Sequence, residues 1–176
     1  MEINETPLRK TKSVLLKALR DILRPVITEL VVLELFAGSG RVSLALLEEG
    51  AARSYCVDLR ESPLQDERIK WYRQDVETFL NYGPPEEVGL VFMDPPYDMG
   101  YPLRLLKKLA ASSWLKKEAI IAVETRSGVE ELPPVVEDKF YLMRRRRYGG
   151  SMLWIYQADR EKPVEEELPE ETVDVE

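Results

Sequence analysis

Apolar and polar positions along this chain follow two alternating rhythms. Over residues 11–23, Val14, Leu15, Ala18, Leu19, Ile22 and Leu23 recur at helical spacing, and Pro25 follows. Val31–Phe36 is a short apolar run that ends in the tight turn Ala37-Gly38-Ser39-Gly40. Arg41–Glu49 then reads as a helix closed by Gly50 at its C-cap. Ser54–Asp58 predicts a second strand, Ile69–Arg73 a short third, and Val76–Tyr82 a short helical stretch. Val88–Met93 is apolar throughout, the pattern of a strand covered on both faces. Leu103–Ala111 predicts a helix and Ala119–Glu124 a fifth strand. Finally, Lys139–Arg147 and Ser151–Gln157 flank Tyr148-Gly149-Gly150 and predict a β-hairpin.

Strands that alternate with helices build a mostly parallel sheet with helices on both faces. The expected fold is therefore α/β and Rossmann-like. Its sheet has seven strands and ends in an antiparallel hairpin, the layout of class I methyltransferases. A layout does not assign an activity. The chain shows no internal repeat and no dividing linker, so residues 1–160 read as one domain.

Composition narrows the chemistry. The 176 residues are 44% hydrophobic, enough for a proper core. One cysteine excludes an intramolecular disulfide, and the lack of histidine excludes Ser-His-Asp and Cys-His catalysis. A zinc site is not expected, nor is any other metal. No apolar run reaches the ~18 residues that a membrane span needs. Met1–Lys12 is polar and lacks the apolar core of a secretion signal, so a reducing cytoplasm is the expected location. The net charge of −7 is not spread evenly. Glu161–Glu176 holds eight acidic residues and one lysine, leaving 24 basic and 24 acidic residues in the rest of the chain. The acidity thus belongs to a tail, 161–176, whose composition predicts disorder and a part dispensable for activity. The neutral body can still bind nucleic acid through local basic clusters. Two such clusters are Arg9-Lys10-Thr11-Lys12 and Arg144-Arg145-Arg146-Arg147.

Asp94-Pro95-Pro96-Tyr97 follows directly on the fourth strand. The prolines end the strand and stiffen the chain. A carboxylate, a carbonyl released from the sheet and an aromatic ring then stand at the strand's carboxyl end, where open α/β sheets bind ligands. Asp94 can accept one N–H of an exocyclic amine, the Pro95 carbonyl can accept the other, and Tyr97 can stack on the base. Asp-Pro-Pro is also an ordinary turn sequence.

A second set of positions fits a cofactor. Glu34, Phe36, Ala37, Gly38, Ser39 and Gly40 close the first strand and open the first sheet-flanking helix. The glycines permit a sharp turn and close backbone approach. The third glycine of a dinucleotide fingerprint is absent, since Ser43 occupies that position. Asp58, with Leu59 beside it, ends the second strand 20 residues after Gly38, where a carboxylate can accept both ribose hydroxyls. Glu34 can hold an ammonium group. Asp75, followed by Val76, can accept an adenine amino group or simply cap the next helix. A pocket for an amino acid, a ribose and an adenine describes S-adenosyl-L-methionine. That molecule is already an activated methyl donor, so its chemistry needs neither metal nor histidine.

Leu33-Glu34-Leu35-Phe36-Ala37-Gly38-Ser39-Gly40 followed by Asp94-Pro95-Pro96-Tyr97 resembles the RsmD-type methyltransferases. Arg9-Lys10-Thr11-Lys12-Ser13-Val14, Val123-Glu124 and Arg145-Arg146-Arg147-Tyr148-Gly149-Gly150-Ser151 resemble further segments of that family, in order, over roughly residues 7–157. The resemblance implies methylation of a guanine 2-amino group in small-subunit ribosomal RNA, free or in an assembly particle. There are departures. The family's Gly- and Arg-rich β segment before the first helix has no counterpart here, the stretch between Asp58 and Asp75 is short and contains Pro63, and Tyr97 stands where many members have phenylalanine.

Arg9, Lys10, Arg145 and Arg147 are the expected RNA contacts. The arginine run would otherwise be charge that protects an edge strand. The other readings are a DNA adenine amino-methyltransferase and a non-catalytic RNA-binding or assembly module on the same fold.

Overall fold

The computed structural model describes residues 7–60, 62, 64–159 and 171–173, with side chains described for residues 12–60, 62 and 64–159. Strands β1 (Val31–Leu35) and β4 (Val88–Met93) lie side by side at the centre, and every residue in both is buried. Continuous Val, Leu and Phe runs can tolerate that because helices cover both faces. β2 (Arg53–Asp58) pairs in parallel with β1, and β3 (Ile69–Arg73) in parallel with β2. On the other side β5 (Leu115–Arg126) pairs in parallel with β4. β8 (Ser151–Ala158) lies antiparallel to β5, and β7 (Phe140–Tyr148) antiparallel to β8.

Alternate residues point to opposite faces. Leu33, Leu35, Val91, Met93 and Trp154 pack with Leu105, Leu106 and Leu109 of α4 (Tyr101–Ala110) and Phe79 of α3 (Val76–Tyr82). Val32, Leu90, Phe92, Leu153 and Ile155 pack with Leu15, Leu19 and Leu23 of α1 (Pro7–Leu23) and Leu46 and Leu47 of α2 (Arg41–Glu48). The chain leaves β1 towards β2 and leaves β4 towards β5, so the strand order reverses between β1 and β4. The carboxyl ends at such a switch point form a crevice.

The sheet holds the seven expected strands in a path of eight, because β6 (Val135–Val136) extends it beyond β7. A two-residue strand leaves no periodic signal. A further short strand, β9 (Glu171–Val173), pairs in parallel with Arg146–Tyr148. These are the residues of the acidic tail that are described, and they form a strand where composition predicts disorder. Helix α1 begins four residues before the predicted start, with Pro7 in its first turn. β5 begins at Leu115 rather than Ala119, because its opening stretch, Lys116–Glu118, is exposed and polar and breaks the apolar pattern. Gly50 closes α2 with φ 115°, its N–H on the Leu47 carbonyl and the Ala51 N–H on the Leu46 carbonyl, a Schellman closure one residue past the C-cap Glu49. Among the described residues no helix lies between β2 and β3. No described helix is long and apolar enough to cross a membrane.

Candidate active site

The crevice at the strand ends contains two adjoining cavities of about 240 and 450 Å³ that share Lys12, Phe36, Gly38 and Asp94. The first lies over the turn after β1, lined also by Glu34, Ala37, Ser39 and Glu124. The second runs past Asp58, Leu59, Asp75 and Val76 to Pro95, Pro96, Tyr97 and Tyr101. Every predicted catalytic and cofactor position therefore lines one of the two, except Gly40. Gly40 acts behind the wall. Its φ of 77° starts α2, and a Cβ there would meet the Trp71 ring at 2.8 Å.

The carboxylates on the β1–β3 side already hold backbone amides. Asp58 accepts the Gly38 N–H at 2.9 Å through Oδ2 and the Arg60 N–H at 2.9 Å through Oδ1. This ties the glycine turn to the end of β2. Asp75 is the N-cap of α3, accepting the Thr78 N–H at 2.9 Å. The capping alternative thus describes its present contact, and the residue still faces the cavity. Glu34 is buried, and its Oε2 accepts both the N–H (2.9 Å) and the hydroxyl of Ser43, so it pins the start of α2 to β1. Ser54 and Cys56 join this cluster through the Ser43 hydroxyl. Burial pushes the Glu34 carboxyl up to about 7, against the Ser43 hydrogen bonds that oppose the shift. Burial likewise pushes the Cys56 thiol up to about 12, aided by the charge of Glu34. Phe36 holds a left-handed backbone, φ 56°, and meets the Tyr101 ring edge-on at 5.4 Å. A non-glycine residue with this φ is strained, and such strain concentrates where a turn is shaped for a ligand.

The β4–β5 side is built differently. Met93 pairs with Val123, so Asp94, the first residue past β4, comes beside Glu124 near the end of β5. Glu124 is 5% exposed and accepts the Ser151 hydroxyl at 3.0 Å. Burial raises the carboxyls of both Asp94 and Glu124, and the Asp94 charge adds to the rise at Glu124. Lys12 of α1 works against the rise in both. Tyr97 is 42% exposed, and the Asp94 and Glu124 charges add to burial in raising its phenol. It is thus an accessible ring beside the carboxyl pair.

Glu124, Lys12 and Ser151 are not among the predicted catalytic or cofactor residues. For Glu124 a signal exists, since a lone acid closes an apolar run as Asp58 and Asp94 do. Ser151 carries none, because only the β5–β8 register brings it to Glu124.

The arginine run alternates faces as a strand must. Arg145 stacks on Trp154 at 4.8 Å and binds Glu131 at 2.7 Å, while Arg147 is exposed and donates to the Gly149 carbonyl at 3.2 Å. Arg147 lies at the sheet end that carries Glu124, one residue before the Tyr148–Ser151 pair that closes the hairpin. Arg9 and Lys10 lie in α1, but their side chains are outside the described residues.

The family described as conserved hypothetical protein 95 matches residues 2–157. The chain belongs to this family. It is an RsmD-type, class I methyltransferase, an enzyme that takes S-adenosyl-L-methionine as cofactor. It is 29% identical over 163 residues to ribosomal RNA small subunit methyltransferase D of Escherichia coli K12, covering 86% of this chain and 80% of that one. A solved Escherichia coli protein described as a methyltransferase superposes with a TM-score of 0.73 at 26% identity, covering 84% of this chain and 88% of that chain. A Haemophilus influenzae protein described as a methylase shares the fold, with a TM-score of 0.70 at 23% identity over 84% of this chain and 98% of that one. The donor set fits the cofactor. Acids lie at the last positions of β1 and β2 (Glu34 one residue before the end, Asp58 at it) and just after β3, backbone amides line the turn, and Phe36, Leu59, Val76 and Tyr101 supply apolar and aromatic surface in the cavities.

Proposed function

We propose that this enzyme methylates the 2-amino group of a guanine in small-subunit ribosomal RNA. The observation that carries the reading is the place of Asp94, which lines both cavities and so stands between the cofactor turn and the Tyr97 ring. The named relative of Escherichia coli, a ribosomal RNA small subunit methyltransferase, supports RNA as the substrate.

Asp58 would hold the ribose hydroxyls, Asp75 and the Val76 N–H the adenine, and the Gly38 turn the amino-acid end. Glu34 keeps one oxygen on Ser43, which leaves a carboxyl edge facing the cavity for an ammonium group. The bound cofactor supplies a methyl group on a positively charged sulfur. An exocyclic amine is a weak nucleophile because its lone pair is delocalised into the ring. Asp94 and the Pro95 carbonyl, each accepting one N–H, draw the amine towards tetrahedral geometry and free that pair. Tyr97 stacks on the base and fixes its plane. These are effects of positioning and of dipoles set in advance. An amine inside a stacked helix is out of reach, so the target is an unpaired or flipped-out base. Arg145 and Arg147, with Arg9 and Lys10, bind phosphates around it.

Total RNA, isolated small subunits and DNA, each incubated with methyl-labelled cofactor and digested to nucleosides, test the proposal. Label in N2-methylguanosine from the small subunit or its RNA is expected. Label in N6-methyladenosine from DNA would overturn it. Charge reversal at Arg145 and Arg147 should weaken RNA binding and flatten its salt dependence, by up to about one unit of log–log slope for each phosphate no longer neutralised. Unchanged binding would return those arginines to edge protection.

A further inference from the structure

Two carboxyls side by side and partly withdrawn from water cannot both carry charge cheaply. Asp94 and Glu124 are such a pair, yet the reaction asks for a charged acceptor at Asp94. Their surroundings differ. Glu124 is almost fully buried, one of its oxygens occupied by the Ser151 hydroxyl, whereas Asp94 is partly exposed and opens onto both cavities. The charged and titratable groups facing the pair are Lys12 from α1, Glu34 from β1 and Tyr97 from the loop after β4, with Arg126 of β5 acting in turn on Tyr97. Lys12 favours one negative charge on the pair and sits on the cavity side, where Asp94 opens.

We propose that Glu124 acts as a neutral acid that keeps its proton and donates a hydrogen bond from its carboxyl O–H to Asp94, and so holds that carboxylate charged and aimed at the target amine. Glu124 is then a positioning residue. It touches neither the reacting nitrogen nor the methyl group. The direction of titration agrees. Burial is the largest cause of the rise at both groups, and the geometry separates them: Glu124 is the more buried of the two, whereas Asp94 opens onto both cavities beside Lys12, so the proton rests on Glu124. The pair therefore works while it carries one proton. At low pH Asp94 gains a proton and stops accepting. As pH rises Glu124 loses its proton, and Asp94 loses its donor and gains a repelling neighbour.

This inference rests on the proposed amine chemistry for its consequence, but not for its test. In the full chain labelled with ¹³C at glutamate carboxyls, the resonance missing from Glu124→Gln identifies Glu124. That resonance should still report a protonated carboxyl at pH 6 and titrate near neutrality. Titration in the ordinary glutamate range would overturn the proposal. The second measurement is the single-turnover methylation rate against pH, with small-subunit RNA and cofactor saturating. Wild type should slow as pH rises through neutrality. Glu124→Ala should lose at least tenfold at pH 7. Glu124→Gln, which keeps a donor that cannot ionise, should recover most of that loss and no longer slow in that range. An alkaline decline retained in Glu124→Gln, or absent in wild type, would overturn the assignment. If RNA takes no label while Glu124 titrates as expected, the proposed substrate fails and the carboxyl pair stands.

Discussion

The two sides of the crevice hold carboxylates under opposite conditions. On the β1–β3 side, Asp58 and Asp75 accept amide N–H groups at 2.9 Å. On the β4–β5 side, Asp94 and Glu124 face each other under a partly exposed tyrosine, and burial works against their charge. The first arrangement suits permanent binding of a polar, partly cationic molecule. The second suits an encounter with a neutral amine, whose hydrogen bonds are needed most as it becomes tetrahedral. Glu34 belongs to the first side by position and to the second by environment, since it is hydrogen-bonded and yet buried enough to resist ionisation.

The contrast is sharpest if removing a carboxylate from each side damages a different quantity. Asp94→Ala should lower turnover by roughly 10²–10³-fold, the scale of deleting one preorganised transition-state group, and leave cofactor affinity within a few-fold. A calorimetric titration in which this variant loses cofactor binding instead would erase the distinction. Glu34→Gln tests the residue that straddles it. The folded carboxyl sits near 7 against an ordinary value of 4.5, so the native state binds the extra proton between those values. Stability from this group is complete below about 4.5 and is lost as pH rises through about 7. The amide cannot ionise but can still accept from Ser43. Thermal melts should show wild type losing up to about 3 kcal/mol relative to the variant between pH 5 and pH 8. Parallel curves for the two proteins would show that Glu34 ionises normally.

Asp58→Ala should weaken cofactor binding by about 1.5–3 kcal/mol with little effect on turnover at saturation, measured by calorimetry and by rates at excess cofactor. An unchanged dissociation constant would remove Asp58 from the binding set. The smallest effect belongs to the ring over the target side. Tyr97→Ala should cost about 1–3 kcal/mol in RNA-dependent kcat/KM, and Tyr97→Phe much less, because stacking needs the ring and not the hydroxyl. A large loss in Tyr97→Phe would give the phenol a role in the carboxyl cluster.

Most of the first side is legible in the sequence and about half of the second. Asp58 and the glycine turn announce themselves, because strand ends and turn residues are local features. Glu34 is legible for the same reason, although its bond to Ser43 depends on how α2 folds back on β1. The Asp94–Glu124 pair is half visible. Each acid ends an apolar run, but their adjacency comes from a parallel pairing between segments some thirty residues apart. Ser151 is reached only through the antiparallel hairpin. The fold itself follows from long periodic segments. What escapes are β6 and β9, too short to show a period, and the polar start of β5.

Cys56 gives the buried cluster beneath the glycine turn a practical use. It is the chain's sole thiol, fully buried in β2 against Ser43 and Glu34, and poorly ionised. A thiol reagent attacks the thiolate, so it can reach this sulfur only when the sheet and α2 part. The rate at which a single equivalent of reagent is consumed is therefore a clock for opening of the cofactor floor, built in without any label. Ligands that seat on the turn should slow that clock in proportion to their occupancy, which makes an untagged sample its own binding assay.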